Sequence, residues 1–357
     1  MQALDRSRSV EYDFVGSLQG LDGIDLAATA LARRFIVASY SRRAGILWQP
    51  GAVGVALKRY DALIFLADPH FVSTWLAALA ARVRGIPVLF WGHGWLRRDQ
   101  GLRAKARRLY FSLARNVLVY SERAKRLGAD EGFPGDKITV VYNSLDVDEA
   151  DRIIAGIEDG SLNDVAPHQC FEHPGRPVII CIARLTKRCR FDLLISAAGL
   201  LAEQGQPVNV LLVGDGPERQ ALERQAADLG VALHLYGACY DEVTIGQLTY
   251  RADLTVSPGK IGLTAMHSLM YGTPAITHGD LDEQMPEVEA IEPDRTGAFF
   301  TRGDPANLAQ VMGAWLATQR DRAAVRARAR RAIRAKWTPQ VQADIIENAV
   351  LKAAGRA

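Results

Sequence analysis

The chain is short of the features that assign many proteins at a glance. Among 357 residues there are four cysteines, Cys170, Cys181, Cys189 and Cys239, and no C-x-x-C pair. Reduced thiols in the cytoplasm fit this pattern best. No apolar run approaches the roughly 20 residues that a membrane-spanning helix needs. The N-terminus shows no basic stretch followed by an apolar one, so no secretory leader is expected. A strong charge of one sign is also missing: the net charge is +3, with arginine concentrated only locally, which argues for basic patches and against a uniformly nucleic-acid-binding surface. The dinucleotide fingerprint is absent, because Gly16, Gly20 and Gly23 have the wrong spacing, and no NAD site is assigned. His168, His173 and Cys170 are scattered without ligand spacing, so no metal is assigned there.

What is present is apolar residue in quantity, 48% of a chain that is long for one hydrophobic core. Two domains are therefore expected. Short β-rich runs at 35–39, 62–66, 88–91, 116–119 and 139–141 read as buried parallel strands, with helix-forming stretches at 71–83, 103–113 and 122–127 between them. Residues 1–150 thus form a first Rossmann-like domain. Strand signals stop between 147 and 177, where acidic residues, histidines and prolines collect, and 151–176 reads as a linker. The alternation resumes with strands at 178–183, 209–213, 232–235, 254–256 and 275–277, giving a second Rossmann-like domain over 177–337. Residues 338–357 are expected to form a helix returning to the first domain. Two such domains facing each other leave a cleft at the carboxyl ends of their strands, where open α/β sheets bind ligands.

The chemistry concentrates at strand ends of the second half. Arg184, Lys187, Arg188 and Arg190 directly follow the strand at 178–183, and four cations there favour a phosphate partner. Next comes VGDGPER at 213–219, a tight turn with Gly214 and Gly216 that leads into a helix. The richest stretch is SPGKIGLTAMHSLMYGTPAITH at 257–278. Its loop, Gly259, Lys260, Ile261, Gly262 and Leu263, can bring backbone amides to an anion before Thr264 opens a helix. Leu263, Met266, Leu269 and Met270 fall on one helical face, leaving Thr264, His267 and Tyr271 on the other, turned toward the cleft.

Taken together, ARLTK, VGDGPER, LYG, ADLTVSP, GKIGLTAMHSLMYGTP and TGAFF, in that order across 178–310, resemble the C-terminal domain of family-4-type (group 1) retaining glycosyltransferases of GT-B fold. WGHG at 91–94 and VYNSLD at 141–146 resemble, more loosely, motifs of that family's N-terminal half. The resemblance implies an α/β, GT-B protein that transfers a hexose, with retention, from a nucleotide-diphosphate sugar on the C-terminal domain to a glycan or lipid-linked acceptor on the N-terminal one. The donor is a substrate with UDP, GDP or dTDP undecided, and no cofactor or metal is implied. His93, Arg184, Lys187 and Arg188 then take catalytic positions. Gly214, Gly216, residues 259–264 and His267 bind the donor. Two departures stand out: the family's paired glutamates fall on Gly259 and His267, and its phosphate-binding lysine falls on Cys189. Their loss leaves an alternative, a glycosyltransferase-like protein that binds a nucleotide or glycan without turnover. Arg97, Arg98, Arg103, Lys105, Arg107 and Arg108, beside Leu102, Leu109, Tyr110 and Phe111, are candidates for peripheral contact with the inner face of an anionic membrane, and no nucleic-acid motif accompanies them.

Overall fold

The computed structural model describes residues 2–18, 33–99, 101–318 and 321–356. It divides into two compact units, Met1–Asn143 with Pro339–Ala357, and Ser144–Thr338.

The first unit is built on four parallel strands, Leu63–Leu66, Val88–Gly92, Asn116–Val119 and Ile138–Val140, paired in sequence order. Successive side chains of a strand point to opposite faces, so Phe90 and Leu89 feed two different cores. On one side Phe90 packs with Ala77, Ala78 and Ala81 of the helix Val72–Val83 and with Tyr110 and Phe111 of the helix Gly101–Phe111. The Phe90 and Tyr110 rings stack at 4.4 Å. On the other side Leu89 and Leu118 meet Ala343, Ile346 and Val350 of the last helix, Pro339–Ala353, so this helix covers a sheet formed some 200 residues earlier.

Several elements of this unit left no periodicity to read. The strand Phe14–Gly16 pairs with Phe35–Val37, the one of these expected, at 35–39; Ser41–Arg43 and Ile46–Trp48 form a hairpin, and Pro50–Ala56 is a short helix. Strands of three residues are too short to show an alternation. Gly16 ends the first of them, whereas Gly20 and Gly23 lie outside the described residues. The amphipathic reading of 97–111 needs correction. Tyr110 and Phe111 are core residues at 0% and 2% exposure, and Arg107 is held internally by Asp99 at 2.7 Å and Glu131 at 2.6 Å.

The second unit carries six parallel strands in the order Ala232–Gly237, Asn209–Val213, Val178–Ile182, Leu254–Ser257, Ala275–His278 and Gly297–Phe300. In chain order this is 3-2-1-4-5-6, the Rossmann arrangement. Val178–Ile182 is apolar along its whole length because both its faces are covered. The strand order reverses between it and Leu254–Ser257. At such a reversal the loops leaving the two strands diverge to opposite faces of the sheet and open a crevice at the carboxyl edge.

The division between units falls after Asn143, earlier than the boundary at 150. The whole segment read as a linker, 151–176, belongs to the second unit, and its first part lies in the helix Val147–Glu158, capped by Asp146, whose carboxylate accepts from the Glu149 amide at 3.0 Å. Its acidic residues looked solvated in sequence, yet Asp151 is paired with Arg330 at 2.6 Å and Asp164 with Arg251 at 2.7 Å. Charge composition alone cannot separate a linker from a helix whose charges are matched by distant arginines.

Phe90→Ala is expected to destabilise the first unit by about 3–5 kcal/mol, the range for a fully buried phenylalanine. Chemical denaturation followed by fluorescence of Trp95, which is 1% exposed in the same core, measures it.

Candidate donor site at the strand reversal

The site of the second unit is assembled from three loops at the carboxyl edge of the sheet. The first runs from Ala183 to Arg190, the second from Gly214 to Glu218, and the third from Pro258 to Gly262. They are joined backbone to backbone. The Leu185 amide donates to the Asp215 carbonyl at 3.0 Å, and the Gly259 amide donates to the Cys189 carbonyl at 3.0 Å. This closeness is what the glycines permit. A Cβ on Gly214 would lie 2.1 Å from the Ala183 oxygen, one on Gly216 would lie 2.4 Å from the Leu185 oxygen, and one on Gly259 would lie 2.0 Å from the Arg188 oxygen. All three glycines therefore have a packing reason within the protein, beyond the tight turns and the ligand-facing role that the sequence suggests.

With the backbones joined, the cationic side chains are left outside. Arg184, Lys187, Arg188 and Lys260 are exposed, and none has a carboxylate partner among the described residues. Their neighbour Arg190 differs: it adopts a left-handed conformation and is paired with Asp192 at 3.0 Å. Cys189, at the position of the resembling family's lysine, turns its thiol back to the Arg184 carbonyl at 3.2 Å and so closes its own turn. Lys187 and Arg188, one or two positions away, are the adjoining cations left without a carboxylate partner among the described residues.

The loop amides are divided. Gly259 and Ile261 donate to Cys189 and to Gln284 Oε1, the latter at 2.8 Å, and are taken. The amides of Gly262, Leu263 and Thr264 at the start of the helix Leu263–Met270 carry no hydrogen bond among the described residues, and Gly262 offers no side-chain cap. Unclaimed amides at a helix N-terminus favour an anion. Thr264 reaches back to the Ile182 carbonyl at 3.4 Å, which ties this N-terminus to the end of the central strand.

Gln284 was missed in the sequence and organises the loop. It is 3% exposed, accepts from the Ile261 amide and donates toward Thr277 Oγ1 at 2.9 Å and the His278 carbonyl at 3.1 Å. A lone glutamine in an irregular segment gives no periodic signal, so only its burial identifies it.

The helical faces also differ from expectation. Leu263 is 48% exposed, and Tyr271 is fully buried. Room for the Tyr271 ring exists because the residue opposite is Gly246, where a Cβ would come within 2.7 Å of it. His267 stays half-buried and is not alone: its Nε2 lies 2.8 Å from Glu242 Oε1, which also accepts from the Tyr271 hydroxyl at 2.7 Å. A carboxylate can only accept, so Nε2 carries the hydrogen and a neutral ring presents Nδ1 as its acceptor. Burial would raise the Glu242 pKa, but the hydrogen bonds from His267 and Tyr271 bring it below the usual value. Burial, followed by the bond to Glu242, pushes the Tyr271 phenol up. A carboxylate thus stands beside His267 after all, contributed by the first turn of the helix Glu242–Arg251.

Asp280 and Asp282 follow the strand Ala275–His278, but Asp280 caps its own turn and pairs with Arg302 at 3.0 Å. Among the described residues no group of three or more metal-ligating side chains is found. His93 belongs to the first unit. It follows the strand Val88–Gly92, is exposed, and sets its ring edge-on to Tyr120 at 5.2 Å.

Comparison with known proteins agrees with this geometry. Residues 168–332 match the family described as "Glycosyl transferases group 1", and residues 14–149 match "Glycosyltransferase Family 4". Only 1–13, 150–167 and 333–357 lie outside the two matches. The chain is 31% identical over 106 residues to a GDP-mannose-dependent alpha-(1-6)-phosphatidylinositol dimannoside mannosyltransferase of Mycobacterium tuberculosis, covering 29% of this chain and 27% of that protein. It is 26% identical over 171 residues to a 2-deoxystreptamine glucosyltransferase of Streptomyces kanamyceticus, covering 46% and 43%. The matches therefore span between about a quarter and under half of those relatives' own length. Among solved structures, a glycosyltransferase from Rickettsia africae superposes with a TM-score of 0.66 at 16% identity over 91% of this chain and 86% of that one. HepE of Anabaena in complex with UDP does so at 0.65 and 17%, over 85% and 82%. These likenesses show the fold, an α/β architecture of GT-B type with two Rossmann-like domains. On the two family matches, the chain belongs to the group 1, family-4-type glycosyltransferases.

Proposed function

We propose that the protein transfers a hexose from a nucleotide-diphosphate sugar to a glycan or lipid-linked acceptor, with retention at the anomeric carbon. The observation that carries this reading is the set of four cations without a carboxylate partner, and three helix amides without a hydrogen bond, among the described residues at the strand reversal of the second unit. A diphosphate leaving group matches that set in charge and in hydrogen bonding. In the proposed reaction the bond from the anomeric carbon to the β-phosphate oxygen breaks, and a bond to the acceptor oxygen forms on the same face. The acceptor proton passes to the departing diphosphate. Arg184, Lys187, Arg188 and Lys260 offset the growing negative charge, so no protein base is required for that step. His93 is assigned to the acceptor side in the first unit, and Glu242 joins the donor residues through His267. The missing glutamates do not favour the binding-only alternative, since a carboxylate is returned to the helix by another route. The mycobacterial relative is named for GDP-mannose and HepE is described with UDP. Thermal-shift measurements with UDP, GDP, dTDP and their sugars choose among the bases, a ligand at a hundredfold its Kd adding about 2.7 kcal/mol.

Arg184→Ala is expected to slow single-turnover transfer by about a hundredfold or more, the usual cost of losing one preorganised charge partner. A rate within a few-fold of the parent removes Arg184 from the site.

Chelation by EDTA is expected to leave the rate unchanged, because cations and helix amides neutralise the diphosphate and Asp280 is already bound to Arg302. Loss of activity restored by manganese or magnesium contradicts this.

If His267 Nδ1 accepts from a ribose hydroxyl, His267→Ala weakens nucleotide diphosphate binding by about 1–2 kcal/mol. Glu242→Gln has a smaller effect in the same direction, and the double variant is no weaker than His267→Ala because the two side chains act as one unit. Isothermal calorimetry measures all three. Unchanged affinity with a lower Tm makes His267 a packing residue.

A further inference from the structure

The second unit carries a cavity that the proposed reaction does not use. Its volume is about 400 Å³, enough for a small molecule, and Asp164, His168, Tyr250, Arg251, Arg322 and Arg326 line it. It lies at the amino edge of the sheet. Asp253, directly before the strand Leu254–Ser257, accepts from the amide of Val178, the first residue of Val178–Ile182, at 2.8 Å and pairs with Arg322 at 3.0 Å. The donor loops leave the carboxyl ends of these same strands, so the cavity is a separate place in the fold.

Two of the three arginines build its walls. Arg251 donates to the Val165 carbonyl and to Gln247 Oε1, each at 2.9 Å, and pairs with Asp164 at 2.7 Å. Arg322 donates to the carbonyls of Tyr250 at 3.1 Å and Ala252 at 2.7 Å, besides its pair with Asp253. Arg326 differs. Its Cζ lies 3.4 Å from the centre of the Tyr250 ring, and Nη2 donates to the Tyr250 carbonyl at 2.6 Å. Its stem has room because the residue opposite is Gly272, where a Cβ would come within 2.2 Å of Arg326 Cγ. The Tyr250 hydroxyl donates to Glu158 at 2.7 Å, and among the described residues no carboxylate pairs with Arg326 itself.

Two nitrogens of the lining residues are left over. Arg326 Nε and His168 Nδ1 are both buried and have no hydrogen-bond partner, whereas buried polar atoms in folded proteins are nearly always satisfied. They come from different elements, the helix Arg322–Lys336 and the turn Pro167–Cys170. Nε can only donate, and Nδ1 donates when it holds the ring hydrogen. Burial also disfavours the Arg326 charge and lowers its pKa, a cost that a bound anion offsets. The matching ligand is small, negative and rich in acceptors.

We propose that this cavity is a second ligand site, which takes a phosphate group as the free ion or as a small monoester. Separate phosphate oxygens accept from Arg326 Nε and His168 Nδ1, while Arg251 and Arg322 hold the walls. The tetrahedral group is favoured over a carboxylate because its oxygens point in four directions and can meet donors from two elements.

The test compares the full chain in sodium phosphate, in glycerol 3-phosphate and in sodium chloride of matched ionic strength, by thermal shift and calorimetric titration. Stabilisation beyond chloride is expected; a response to both phosphates assigns the site to the free ion, and a response to the ester alone assigns it to a monoester. Arg326→Gln and His168→Ala are each expected to weaken this binding by about tenfold or more, whereas Arg184→Ala, at the opposite edge of the sheet, retains it. The affinity of Arg326→Gln for nucleotide diphosphate is expected to match the parent's, which separates this site from the donor site. No effect beyond chloride overturns the proposal. So does undiminished phosphate binding by Arg326→Gln. Crystals of the parent protein soaked in tungstate decide without any variant: an ion beside Arg326 and His168 is expected, and ions confined to Arg184, Lys187, Arg188 or Lys260 overturn the proposal.

Discussion

The second unit depends on three places where backbone meets backbone without a side chain between. Gly214, Gly216 and Gly259 lie so close to the carbonyls of Ala183, Leu185 and Arg188 that any Cβ would overlap them. Between these contact points Leu185 turns into the core at 0% exposure, while the cationic side chains around it stay outside. Arg184, Lys187 and Arg188 are thereby exposed at the sheet edge, and among the described residues no ion pair holds them there. Cations placed by backbone geometry remain free for an incoming anion, whereas cations held by carboxylates would be already neutralised.

A second layer holds the loop that leads to the unclaimed amides. Gln284 supplies the hydrogen bonds that the 259–261 backbone could not find in a helix or a strand, and it does so from a buried position where an unpaired amide would be costly. One turn further on, Glu242 fixes both the tautomer and the direction of His267 and holds the buried Tyr271 hydroxyl. The unclaimed amides and His267 thus occupy successive turns of one short helix. This order matches a molecule with a diphosphate at one end and hydroxyls beside it.

Regular elements were legible where burial imposes a pattern. The run VIICI at Val178–Ile182 is apolar throughout because it is the central strand, and Ala77, Ala78 and Ala81 repeat at helical spacing because that face meets the sheet. The helix Val147–Glu158 was not legible, since its acidic residues imitate a solvated segment until Arg330 is brought to Asp151 from 179 residues away. For the same reason Tyr110 and Phe111 were read as surface residues. Their neighbours in sequence are cationic, while their neighbours in space are Phe90 and Trp95.

For this protein the sequence by itself determined the alternation of strands and helices, the cations and glycines at strand ends, and the absence of the family's two glutamates. All of these follow from local residue order. The tertiary structure alone decided which amides remain unclaimed, which cations remain unpaired, and that a carboxylate returns to His267 from a different helix. Those outcomes depend on contacts between residues far apart in the chain, and a hydrogen bond or ion pair exists only when folding brings both partners within about 3 Å of each other.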